Sequence, residues 1–161
     1  LLWLGEAYPA VLRPDEKGRA AFDGHTFYLP YPDAARNRPA VAALYRGMAP
    51  AYLKARAAYF AGEMGLAPKS VKVTGAKARW GSCSGKNALC FAWRLALTPP
   101  ACVDYVAVHE LCHMKEHNHS PAFWREVAAQ LPDYASRRAL LAEFGRRIAL
   151  QDWEPDLKEE P

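Results

Sequence analysis

At 161 residues, 51% hydrophobic and 24% charged, the chain holds enough apolar material for one well-buried core and too little net charge for a disordered polymer. The net charge of +4 comes from scattered Lys and Arg rather than a basic run, so acidic ligands, nucleic acid among them, are permitted but not indicated. No apolar run reaches the ~18 residues that cross a bilayer, and Cys83, Cys90, Cys102 and Cys112 form no C-x-x-C pair behind a secretory signal, which points to a cytoplasmic protein with reduced thiols.

Residues 1–31 carry short extended candidates at Tyr8 to Arg13, Ala20 to Asp23 and Thr26 to Leu29. The turn formers Pro14-Asp15-Glu16-Lys17-Gly18 and Asp23-Gly24 separate them, which predicts a β meander belonging to the same domain as the rest of the chain. His25, beside the second turn, is expected on the surface. The chain opens at Leu1 rather than Met, the pattern of a truncated or processed N-terminus.

From Pro32 to Leu66 the spacing turns helical, with Leu44, Tyr45, Met48, Tyr52, Leu53, Ala57 and Phe60 recurring every three or four positions. Pro39 suits a first helical turn, Pro50 is expected to kink or split the helix near residues 47–49, and Gly65 to end it. Arg46 and Arg56 are expected in solvent. Residues 70–97 alternate as strands: Val71 and Val73, then Lys77 to Cys83, a hairpin turn at Ser84-Gly85-Lys86-Asn87, and a last strand with Leu89, Phe91, Trp93, Leu95 and Leu97 on one face. That leaves Arg94 as the only long charged side chain on the opposite, small face, where it needs an exit to solvent or an anionic partner.

Thr98 is placed to cap a helix over 99–116, with Pro99 and Pro100 in its first turn. This helix is apolar on both sides, with only Asp104 and Lys115 expected in solvent, so it is expected to be buried. It carries His109-Glu110-Leu111-Cys112-His113. Two histidines four apart share one face and can aim two imidazole nitrogens at one ion, while Glu110 lies close enough to reach a water on that ion. The pattern implies a zinc hydrolase. His119 is the third candidate ligand. The competing His117 would continue the helix and stand about 12 Å along its axis from His109, whereas Asn118 tolerates a left-handed turn that swings His119 back. Ser120-Pro121 then starts a helix with Phe123, Trp124, Val127 and Leu131 as its stripe, and Asp133 caps another with Leu140, Leu141, Phe144 and Ile148. The domain is expected to span 32–150, with 151–161 a polar tail.

Taken in order, Trp80-Gly81-Ser82-Cys83, Trp93-Arg94-Leu95, Asp104-Tyr105-Val106, the H-E-x-x-H segment, Asn118-His119-Ser120, Phe123-Trp124 and Pro132-Asp133-Tyr134 closely resemble the YgjP-like metal-dependent hydrolases. These belong to the zincin group that includes SprT-like and WLM proteins. The resemblance covers roughly residues 40–142, and the N-terminal segment weakly. It implies a zincin-like α+β fold, a small antiparallel or mixed sheet packed on the buried H-E-x-x-H helix and further helices. It also implies His109, His113 and His119 as ligands of one Zn²⁺, with Glu110 as the catalytic carboxylate. Two departures stand out: Ala92 replaces the family's usual Asn before Trp-Arg-Leu, and members usually carry a further hairpin and helix ahead of the segment that opens here.

Arg79, Ser82 and Arg94 are the candidates for holding substrate. The leading expectation is a metallopeptidase acting on peptide or protein, with Glu110 as general base. The alternatives are a nucleoside triphosphate pyrophosphohydrolase, with Arg79, Lys86 and Arg94 on the phosphates, and a metal-containing binding module accessory to DNA-processing proteins. An intact Glu110 argues against the last, since a structural site has no need of a base.

Overall fold

The computed structural model describes residues 1–149, so the expected tail over 151–161 lies outside the described residues. The largest element is α1, Ala34–Glu63. Asp33 caps it by accepting from the Ala35 N–H at 2.8 Å. Its end is closed by Gly65 at φ +63°, with the Leu66 N–H on the Ala61 carbonyl and the Gly65 N–H on that of Gly62. The helix runs on through Pro50, contrary to expectation, and Pro39 lies beyond its first turn. An interior proline costs about 3 kcal/mol. Here the fully buried Tyr45, Ala49, Leu53 and Ala57 anchor the helix on both sides of Pro50 and offset that cost.

The N-terminal strands correct the expected meander. Strands β1, Leu2–Trp3, and β2, Glu6–Ala7, form an unanticipated hairpin through Leu4 and Gly5, both at positive φ. That turn docks on the core, the Leu4 N–H donating to the Ala96 carbonyl and the Gly5 N–H to that of Leu97. In the next sheet β5, Phe27–Leu29, lies between β3, Ala10–Leu12, and β4, Ala21–Phe22, parallel to the first and antiparallel to the second. The central place goes to the strand with the most to bury: Phe27 is fully buried against the rings of Tyr8, Phe22 and Tyr45.

The third sheet has the order β6, β8, β7, where β6 is Ser70–Thr74, β7 is Gly81–Cys83 and β8 is Ala88–Ala92. The hairpin turn forms as expected, the Ser84 hydroxyl accepting from the Lys86 and Ala88 N–H groups and Asn87 taking φ +57°. Of Lys77 to Cys83 only Gly81–Cys83 is strand. The last strand stops at Ala92, and Trp93–Leu97 is a 3-10 helix. Trp93, Leu95, Ala96 and Leu97 are all buried, so this segment has no solvent face to hold it in a strand's alternation.

Helix α2, Pro100–Cys112, is shorter than expected, and Pro99 rather than Thr98 is its cap; the Thr98 hydroxyl donates instead to the Leu95 carbonyl. It is buried on both sides, packed by α1, by α3 (Pro121–Gln130) and by α4 (Tyr134–Ala149). Asp104 and Arg56, expected in solvent, form an ion pair at 2.7 Å, and Arg137 of α4 closes on the same carboxylate at 3.7 Å. One half-buried carboxylate thus joins three helices. The architecture is α+β, as expected, and α2 is its centre.

Candidate metal centre

Helix α2 delivers His109 and His113 to one face near its C-terminal end, their ring centroids 4.9 Å apart. His119 arrives from the connection to α3. That connection uses no left-handed residue at Asn118: the only described non-glycine residues at positive φ are Leu4 and Asn87. The chain instead tightens through successive N–H bonds from Met114 to Leu111 and from Lys115 and Glu116 to Cys112. Ser120 then caps α3 by accepting from the Phe123 N–H, as expected. This sets Phe123 and Trp124 under the histidines, the His113 ring stacked on Phe123 and the His119 ring on Trp124. His117 is exposed and outside the group.

One nitrogen from each of His109, His113 and His119 lies within 4.8 Å of the others. The donor chemistry fits a divalent ion. The His113 Nδ1 donates to the Glu116 carbonyl at 3.0 Å, which leaves its Nε2 as a lone-pair donor. The Nε2 atoms of His109 and His119 face each other at 3.1 Å, a spacing that requires a proton or a cation to relieve lone-pair repulsion. It is close to the ~3.3 Å separation of two nitrogens bound tetrahedrally at ~2.0 Å from zinc. Burial, with the neighbouring imidazoles and Arg138, pulls His109 down to about 4, and burial lowers His113 as well, so both are neutral at pH 7, as ligands must be. The His109 Nδ1 is buried with no hydrogen-bond partner.

Glu110, 6% exposed, lies on the adjacent face of α2. Its carboxyl is pushed up to about 7 by burial, with Arg79 pulling the other way. It has room because β7 brings a glycine over it: a Cβ on Gly81 would stand 2.8 Å from Glu110 Cγ and Oε1. Cys83 shares that face of β7, its thiol raised by burial and then by the Glu110 charge. A cleft of about 370 Å³ opens beside His109 and Glu110. Its lining includes Arg79, Trp80 and Gly81 from one side, Tyr105 and Val106 from α2, and Arg138, Leu141 and Ala142 from α4.

Among the residues named from sequence, the structure brings together His109, His113, His119, Glu110 and Arg79. Ser82, pairing with Cys90, alternates to the face of β7 opposite Gly81 and Cys83. Arg94 lies outside the cleft lining; it stacks on Trp93 and donates to the Gly75 carbonyl. Gly81 as the space-maker for Glu110, and Tyr105 and Arg138 as cleft walls, were not foreseen. The Trp80-Gly81 dipeptide was the one local signal; nothing near Arg138 distinguishes it from Arg137.

The family model described as YgjP-like, metallopeptidase domain, matches residues 1–144. A search of curated proteins finds no match. Among solved structures, the crystal structure of the metallopeptidase zymogen of Pyrococcus abyssi abylysin aligns with a TM-score of 0.51 and 19% identity, over 60% of this chain and 95% of that one. At that identity the likeness speaks for the fold, a zincin-like α+β domain. With the match running through all three described sheets and all but the end of α4, the chain belongs to the YgjP-like metallopeptidase-domain family.

Proposed function

We propose that the protein is a zinc-dependent metallopeptidase in which His109, His113 and His119 hold one zinc ion and Glu110 is the general base. The observation that carries this reading is the convergence of three imidazole nitrogens within 4.8 Å next to a buried carboxyl. When bound, zinc supplies a Lewis acid that polarises a carbonyl and brings the pKa of water to about 7. The protein's own groups do the rest. Glu110, which lines the same cleft as His109, takes the proton of the attacking water and passes it to the leaving amine. Phe123 and Trp124 fix the planes of the histidines stacked on them.

Strand β7 lies at the edge of its sheet, above Glu110, and is suited to receive an extended peptide as an added strand. Arg79 holds substrate within the cleft, whereas Ser82 and Arg94, the other two candidates from sequence, lie outside its lining.

The test is elemental analysis of protein purified without added metal, beside hydrolysis of unfolded casein. Near one zinc per chain is expected, sharply reduced in His119→Ala, with Glu110→Gln retaining zinc and losing hydrolysis. Equal zinc in His119→Ala would move the third ligand elsewhere, with His117 examined next. Full turnover by Glu110→Gln would remove Glu110 from its role.

A further inference from the structure

We infer that the cleft beside Glu110 selects peptides that carry a carboxylate next to the reacting bond, held between Arg79 and Arg138; this deepens the metallopeptidase reading and rests on it. Arg79 enters from the segment before β7 and Arg138 from α4, and both line the same cleft as His109 and Glu110. Among the described residues neither makes an ion pair, although Arg137, the next residue in the chain, is paired with both Asp104 and Asp133. Arg138 also borders the cleft on the other side of His109, where its guanidinium stands 5.5 Å from the centre of the Trp124 ring. Two guanidinium groups therefore line the same cleft as Glu110 and His109, and a divalent ion on the histidines would add positive charge. Such a cleft draws in an anion.

The shape of the site favours a carboxylate over a polyphosphate. Phosphates are typically cradled by backbone N–H groups at helix N-termini or glycine-rich loops. Here α2 and α4 present their sides to the cleft, through residues 105–110 and 138–142. Trp80, Leu141 and Ala142 make the remaining wall apolar, which suits the methylene groups of an acidic side chain or a C-terminal residue. The carboxylate thus comes from one of two sources, an acidic side chain or the substrate's own C-terminus.

Unfolded casein digested by the zinc-loaded protein, with the cut bonds identified by mass spectrometry, reads the preference directly. Cuts are expected to be enriched about tenfold or more beside Asp and Glu, or at chain ends, the worth of one charge-assisted hydrogen bond. A heptapeptide with a central Glu, its Gln counterpart, and both with free or amidated C-termini separate the two sources. The Arg79→Gln, Arg138→Gln double variant should lower the preference ratio about tenfold, while Arg125→Gln, exposed on α3, leaves it unchanged. A ratio that the double variant does not move overturns the inference.

Binding of the same peptides to the Glu110→Gln protein, followed by tryptophan fluorescence, needs no turnover. Tighter binding of the acidic forms that depends on both arginines supports the inference even if casein stays uncut, a result that would count against the metallopeptidase reading alone. Equal binding of acid and amide forms overturns it. So does tighter, arginine-dependent binding of ATP, which would make the cleft a phosphate site.

Discussion

A single Cβ at Gly81 would meet both the stem and the oxygen of Glu110 at 2.8 Å. Gly81→Ala must therefore push the carboxylate aside without touching a histidine. The expected outcome is zinc content equal to wild type with casein hydrolysis reduced at least about a hundredfold, because a ~1 Å displacement of a reacting group costs that much. Glu110 can also be checked in metal-free protein. Its carboxyl, raised from 4.5 to about 7, favours the fold below pH 4.5 and loses that contribution as pH climbs to about 7, a change on the order of 3 kcal/mol. His109, lowered from 6.5 to about 4, works the opposite way, contributing above 6.5 and losing it as pH falls towards 4. Chelated wild type should thus show a shallow stability profile between pH 4.5 and 6.5. Chelated Glu110→Gln should gain stability steadily across that window in urea titrations; two matching profiles would refute the assignment. His109, Glu110 and His113 were legible in sequence because helical periodicity is local. The reason for Gly81 lies in a residue on another element, and which of Arg137 and Arg138 faces the cleft is settled by how α4 docks.

Between elements, Asp104 is the joint of α1, α2 and α4. Its side chain is 15% exposed, and removing it leaves Arg56 and Arg137 facing each other without their shared anion. Asp104→Ala is expected to lower unfolding free energy by about 1–3 kcal/mol, less than a fully buried pair because both arginines retain some solvent. A urea midpoint unchanged at constant slope would show the joint to be incidental. The sequence pattern suggested solvent for Arg56 and Asp104 because charge on a helix is ordinarily a solvent signal, and the pairing spans 48 positions. Periodicity failed in the same way over Trp93–Leu97: where all the apolar side chains are buried, on whichever side they fall, alternation carries no information about backbone conformation. It succeeded for β6, the Ser84 turn and α3, each of which has a wet face or a capping side chain to fix its frame. The N-terminal pairing order was hidden for a further reason, since two- and three-residue strands are too short to show a period.

At the scale of the molecule, the core of α1, the 3-10 helix and α2 is built from apolar side chains rather than from the candidate metal ligands, Trp93, Tyr45 and Leu111 being fully buried. Chelation is therefore expected to lower the melting temperature by several degrees and leave a folded protein that reloads, in contrast to a zinc finger, which unfolds without its ion. Loss of the native circular dichroism spectrum on chelation would contradict this. The three histidines lie within one short stretch, 109–119, whereas the glycine above Glu110 and the arginine of the cleft come from residues 81 and 138. Local contacts survive partial opening that severs distant ones. Helix α4 is held by the buried Leu141, Phe144 and Ile148, so undocking it would take Arg138 out of the cleft while the hydrogen bonds of the histidine turn, all within residues 109–119, stayed in place. Counting zinc in a preparation then counts chains with an unbroken turn, and the working fraction has to be counted by a reagent that engages Glu110 and Arg138 together.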